Sequence, residues 1–177
     1  YKLDAALTTA MMTPFMLELG FSKTDIGAVT KGFGMIATIC GTLFGGAMMV
    51  RLGIKASLWI FGITQALAGF SFMALAHIGH SYPMMVTAIA VENACSGMAT
   101  AAFSAFMMSL CNRKFTATQY ALITSFMATS RYVAGVPSGY LVKWVGWETY
   151  FFIAAMIGIP GLLLLTRYPK WTMPNSK

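Results

Sequence analysis

Four ionisable residues stand inside apolar sequence: Asp4, Lys31, Glu92 and Arg131. A carboxylate in such a place can take up and release a proton, whereas an ammonium or guanidinium can hold an anion. Burying any of them in hydrocarbon costs on the order of a few kcal/mol unless it meets a cavity or a partner, so each marks a candidate functional position. Glu92 is the best placed of the four. It lies near the start of the apolar run from Val91 to Leu110, with Ser96 and Thr100 on the same side of a 3.6-residue period and Asn93 at the flank. Ala, Met and Leu fill the opposite side.

Such residues need a scaffold, and composition says of what kind. The 177 residues are 58% hydrophobic and 10% charged, with a mean hydropathy of +0.70. That is more apolar surface than a soluble chain of this length can bury, but a bilayer can cover it. The net charge of +7 sits mostly at the ends of apolar runs rather than in one patch, which is the pattern of membrane topology and not of nucleic-acid binding. Cys40, Cys95 and Cys111 are odd in number and have no ligand spacing, so they read as helix-packing residues with no disulfide or metal. The sequence opens on Tyr1 without a signal-peptide pattern and reads as a fragment.

Six runs approach the ~20 residues that cross hydrocarbon. They cover 1–19, 24–50, 56–76, 84–110, 118–142 and 149–166, in a unit 1–167 followed by a cytoplasmic tail 168–177. Ser22-Lys-Thr-Asp25 predicts a capping box opening the second run. Gly41-x-x-x-Gly45 predicts close approach of a neighbouring helix. Arg51 to Lys55 makes a tight basic turn, and His77 and His80 are expected to be solvated in an outer loop. Lys2, Arg51, Lys55, Arg113, Lys114, Arg167, Lys170 and Lys177 fall on one side of the membrane; the other has only Lys23 and Lys143, offset by Glu18, Asp25 and Glu148. This bias places both ends in the cytoplasm.

Runs one, two, four and five carry Asp4, Lys31, Glu92 and Arg131, while runs three and six carry no ionisable residue. The repeated order predicts an all-α membrane protein of six transmembrane helices in two inverted three-helix repeats, half of a secondary transporter. In each repeat two helices line a polar cavity and the third faces lipid. Helical rise puts Glu92 ~12 Å, Arg131 ~17 Å and Lys31 ~11 Å from the outer ends of their helices, so these three are expected to meet near the midplane, with Asp4 nearer the cytoplasm. A structural ion-pair network is the alternative. A hydrolase built on Ser96 would need a base in reach, yet both histidines lie in the outer loop, so no enzyme is expected. A channel or purely structural subunit is disfavoured because a channel needs a continuous polar lining, and the cytoplasmic end of run four is rich in Met and Phe.

Gly46-Ala-Met-Met-Val-Arg51-Leu-Gly53-Ile-Lys55 resembles the loop motif of the major facilitator superfamily in its second-half copy, with Val50 where that motif has an acid. Tyr1-Lys-Leu-Asp4-Ala, Glu92-Asn93-x3-Gly97-Met98-x-Thr100-x2-Phe103, Ser109-Leu-Cys-Asn112 and Phe115-Thr-Ala-Thr118-Gln119-Tyr-Ala-Leu122 resemble the AmpG-type muropeptide permeases. So do Gly135-x-Pro137-x-Gly139-Tyr140 and Gly146-Trp147-x-Thr149-x-Phe151. The resemblance implies proton-driven import of anhydromuropeptides across the bacterial inner membrane for cell-wall recycling, with another proton-coupled carrier of a small anionic or sugar solute as the alternative. It also implies that the proton gradient is used without a cofactor, that no nucleic acid is bound, and that an N-terminal half of six helices is missing from this sequence. Carried onto this chain, Asp4 and Glu92 are the coupling candidates. Lys31 and Arg131 suit substrate carboxylates, Asn93 suits the sugar, and Phe15 and Tyr132 suit sugar rings. Gly46, Arg51, Gly53 and Lys55 form the structural loop motif.

Overall fold

The computed structural model describes residues 2–111 and 115–165, without the side chains of Ser130, Arg131, Tyr132 and Ala134. Its elements are α1 (Leu3–Glu18), α2 (Lys23–Val29), a π-helical turn (Thr30–Gly34), α3 (Met35–Ile78), α4 (Tyr82–Leu110), α5 (Thr116–Gly135) and α6 (Ser138–Leu164). The cap expected before α2 forms: the Asp25 amide donates to Ser22 Oγ at 3.0 Å. From there α2, the π turn and α3 run on without a break.

Two glycines divide α3 and α6. Gly53 (φ 77°, ψ 163°) separates residues 35–52 from 54–78 within α3, and Gly146 (φ 78°, ψ 170°) separates 138–145 from 147–164 within α6. A side chain would strain that backbone, which is why the basic turn after Arg51 is built on glycine. The helix expected over 118–142 is different. It ends at Gly135, turns through Val136-Pro137 and restarts at Ser138, because proline lacks an N–H and disfavours a helical residue before it.

By length and composition, Lys23–Ile78 and Ser138–Leu164 are apolar enough to cross a membrane. The runs taken for further spans fall short of that test for visible reasons. α1 has 16 residues, and α4 carries Glu92 and Asn93 in its middle. The outer surface is nonetheless apolar: Leu43 is 69% exposed, Phe126 77% and Trp144 89%. Such a surface needs a bilayer or an apolar partner to cover it.

The tightest packing joins α3 to α4. A Cβ on Gly41 would stand 2.2 Å from the Ala94 carbonyl oxygen, one on Gly45 2.7 Å from Met98 Cα, and one on Gly97 2.5 Å from the Thr38 carbonyl oxygen. The Gly41-x-x-x-Gly45 face therefore meets α4 backbone to backbone, and Gly97 answers it from the other side.

Buried apolar residues form two clusters. One gathers Phe15, Phe72, Ile89, Tyr150 and Phe151; the other gathers Leu58, Phe61, Ala99, Ala102 and Leu162. Along α3, Gln65 falls between the two sets; along α4, Glu92 does, and along α6, Gly158. A polar layer is thus enclosed by apolar packing above and below. Tyr150 helps fix α6 on α1, its hydroxyl donating to the Leu7 carbonyl at 2.9 Å. Tyr150→Phe should cost about 1 kcal/mol, read as a lower thermal midpoint of the detergent-solubilised protein; an unchanged midpoint would make that bond dispensable.

Candidate functional site

α4 places Glu92 in the polar layer at 5% exposure, facing Gln65 of α3 at 4%. Gln65 Nε2 donates to Glu92 Oε1 at 2.6 Å. α1 brings Asp4, also 5% exposed, onto α6 where Gly158 makes room: a Cβ there would lie 3.3 Å from Asp4 Oδ2. Asp4, Glu92 and Lys2 lie within electrostatic reach of one another, and Lys2 Nζ donates to Thr100 Oγ1. Three buried acceptors in this layer, Asp4 Oδ1, Gln65 Oε1 and Glu92 Oε2, have no hydrogen-bond partner among the described residues.

A cavity of about 80 Å³ opens between α1, α4 and α5, lined by Lys2, Ala5, Ala6, Thr9, Ser96 and Met127. Neither carboxylate lines it, but Ala5 follows Asp4 in the chain and Ser96 is one helical turn from Glu92. The space is polar on two sides and large enough for water. Chemically, the arrangement offers two buried carboxyl groups with a small, partly polar cavity on neighbouring turns of their helices. That suits the binding and release of a proton.

Other candidates stand elsewhere. Lys31 sits on the π turn, exposed, with no hydrogen bond or ion pair to a described residue; the expected meeting of Lys31 with Glu92 gives way to the Gln65 contact. π turns re-aim side chains, and here the turn carries Lys31 outward. Asn93 is occupied: Thr38 Oγ1 donates to its Oδ1 at 3.1 Å and its Nδ2 donates to the Ile89 carbonyl at 2.8 Å. Its amide therefore serves the α3–α4 contact in this structure. Phe15 is 0% exposed, with ring centroids 4.9 Å from Phe151 and 5.0 Å from Trp147, so in this structure it packs in the apolar cluster. The side chains of Arg131 and Tyr132 lie outside the described residues.

In the loop motif, Gly53 makes the turn, Arg51 and Lys55 are exposed, and a Cβ on Gly46 would meet nothing within 4 Å. Of the two histidines, His77 Nδ1 approaches Glu148 Oε1 at 3.2 Å, and His80 stacks on Phe21 with centroids 4.2 Å apart. Both histidines are exposed, and these contacts join the end of α3 to α6 and the turn after α3 to the turn after α1. Cys40, Cys95 and Cys111 are free thiols.

Gln65 escaped the sequence reading because that reading looked for ionisable groups. The available signal was a single carboxamide in the otherwise apolar run 56–76. Asp4 was not expected to meet Glu92 for a related reason: counting rise along one helix says nothing about how that helix is offset against its neighbours.

Residues 2–176 match the family described as the Major Facilitator Superfamily. The chain is similar to the Anhydromuropeptide permease of Escherichia coli K12, 38% identical over 166 residues, which covers 93% of this chain and 34% of that protein. It is 36% identical over 165 residues to Putative transporter AmpG 4 of Rickettsia conorii, covering 93% of this chain and 40% of the relative. An uncharacterized protein of Haemophilus influenzae is 39% identical over 185 residues, covering the whole of this chain and 43% of its own length. The chain thus spans between 34% and 43% of these relatives.

Proposed function

The chain belongs to the major facilitator superfamily, a family of membrane transporters rather than enzymes, and on that premise we propose that it forms the second half of a proton-driven importer of anhydromuropeptides. The solute class follows the names of its similar relatives. The observation that carries the mechanism is the buried Asp4 and Glu92 pair, held between two apolar clusters beside a small polar cavity. A carboxyl group that can be neutral when dry and charged when wet couples solute movement to a proton gradient, with no cofactor needed. The importer sits in the bacterial inner membrane, with both ends of this segment in the cytoplasm.

In this reading the glycine breaks in α3 and α6 make six spans, arranged as two inverted three-helix repeats. The third span of each repeat does more than face lipid: it carries Gln65 in one case and Gly158 in the other against the carboxyl groups. A further six-helix half closes the solute path over the exposed face that carries Lys31, and Lys31 with Arg131 holds the carboxylates of the peptide-bearing solute. Losing one charge-assisted hydrogen bond costs about 1.5–3 kcal/mol, so Lys31→Gln should raise the apparent KM for a peptide-bearing muropeptide by about tenfold or more. Arg131→Lys should do likewise, because an ammonium cannot make the two parallel bonds of a guanidinium. Uptake of a sugar analogue without the carboxylate should change little in either variant. Equal transport of both solutes by both variants would remove these cations from solute binding.

The reading as a whole is tested by reconstituting the complete transporter carrying this chain into proteoliposomes and following a labelled anhydromuropeptide. Uptake should rise when a proton gradient is imposed and collapse with an ionophore. Absence of anhydromuropeptide uptake, with gradient-driven uptake of another anionic or sugar solute, would replace the solute while keeping the mechanism.

A further inference from the structure

We propose that Gln65 is a positioning residue that holds the exchangeable proton on Glu92, the two side chains forming a closed carboxylic acid–carboxamide pair whenever Glu92 is protonated. The proposal rests on the reading of Glu92 as the proton carrier and adds a specific partner to it.

The two groups are already joined through one arm, Gln65 Nε2 donating to Glu92 Oε1 at 2.6 Å. Their other arms, Gln65 Oε1 and Glu92 Oε2, are both acceptors, both buried and both without a partner among the described residues. A buried acceptor left open is costly. Two of them on groups that are already bonded lack a single hydrogen between them. A proton on Glu92 Oε2 supplies it: the carboxyl O–H donates to the carboxamide oxygen while the carboxamide N–H keeps its bond to Oε1. Protonated, the pair satisfies both arms. Ionised, it leaves the Gln65 oxygen open in a dry layer. Gln65 therefore responds to the protonation state of its neighbour, which an apolar residue of the same size would not do.

Asn93, the residue after Glu92, shows what a carboxamide used only for packing looks like. Its oxygen accepts from Thr38 and its nitrogen donates to Ile89, so both arms are occupied. Gln65 differs in keeping one arm open.

Among the described residues, the charged and titratable groups around the pair are Asp4 and Lys2 from the α1 end, and Cys95 on α4 itself. Asp4 is the natural relay, since it lies within electrostatic reach of Glu92 and the residue after it, Ala5, lines the cavity. The step is a simple proton transfer. The proton arrives from water on one side of the membrane, adds to Glu92 Oε2 and later leaves to water on the other side, regenerating the carboxylate. In this scheme the 54–78 segment of α3 is part of the coupling machinery and not only a brace.

The test uses the complete transporter in lipid and reads the infrared carbonyl band of a protonated carboxyl group as pH is varied. The parent should show a pH-dependent band that is lost in Glu92→Gln. In Gln65→Met, which keeps the length and removes the polar arms, that band should move to higher wavenumber, its pH midpoint should shift, and most gradient-driven uptake should be lost. Solute exchange without net proton movement should persist in the same variant, which shows that it is folded. If Gln65→Met fails to insert, Gln65→Asn, which draws the amide back by one carbon, should displace the band in the same way. A band and midpoint unmoved in the variant that inserts would overturn the role of Gln65 and leave Glu92 as the carrier. A parent with no band that depends on Glu92 would overturn the proton reading itself.

Discussion

In the complete transporter, Glu92→Gln is expected to abolish uphill accumulation of solute while leaving insertion and downhill exchange intact. The substitution keeps shape and removes the ability to carry a proton. It also keeps the packing, because the introduced carboxamide can exchange hydrogen bonds with Gln65, whose Nε2 lies 2.6 Å from the replaced oxygen. The expected outcome is therefore a transporter that equilibrates its solute and no longer responds to the proton gradient, with an exchange rate that becomes flat across the pH range where the parent varies. The measurement is accumulation in proteoliposomes with and without a gradient. Accumulation equal to that of the parent would make Glu92 a structural residue. Asp4→Asn should weaken coupling as well, since Asp4 has an oxygen without a partner among the described residues and lies within electrostatic reach of Glu92.

Gly41→Leu and Gly97→Leu are expected to remove most of the folded protein. A Cβ at these positions already falls 2.2 Å and 2.5 Å from carbonyl oxygens of the opposing helix, so the clash is with backbone that cannot rotate away. Overpacking a well-filled core typically costs about 1–3 kcal/mol, and separating two helices along their main contact should exceed that. Gly27→Ala and Gly46→Ala are the matched controls, because a Cβ there meets nothing within 4 Å. Size-exclusion profiles of detergent-solubilised protein would show the difference. If the Leu variants are as monodisperse as the controls, α3 and α4 are not in backbone contact.

Much of the fold could be read from the sequence because its signals are local. The Ser22 cap, the glycine turn after Arg51 and the close Gly41 face each follow from neighbouring residues, and each forms. The break at Pro137 was equally local and was overlooked, since the apolar run continues across it. The site was only half legible. Glu92 and Asp4 stood out as acids in apolar sequence, and both are buried in the polar layer. What they touch was not readable, because partners on other helices depend on helix offset and rotation. Gln65 was therefore missed, and Lys31 was joined to Glu92 on the strength of depth alone. Phe15 shows the same limit from the other side: an aromatic on a predicted cavity face proves to be closed in by Trp147 and Phe151.

The central claim is that the buried carboxyl layer couples solute movement to protons, and its most direct test is proton counting. Purified complete transporter in weakly buffered proteoliposomes, given anhydromuropeptide without an imposed gradient, should take up protons together with solute, and the proton signal should disappear in Glu92→Gln while solute exchange continues. Solute entering with no accompanying proton flux in the parent, or an unchanged flux in Glu92→Gln, would contradict the account.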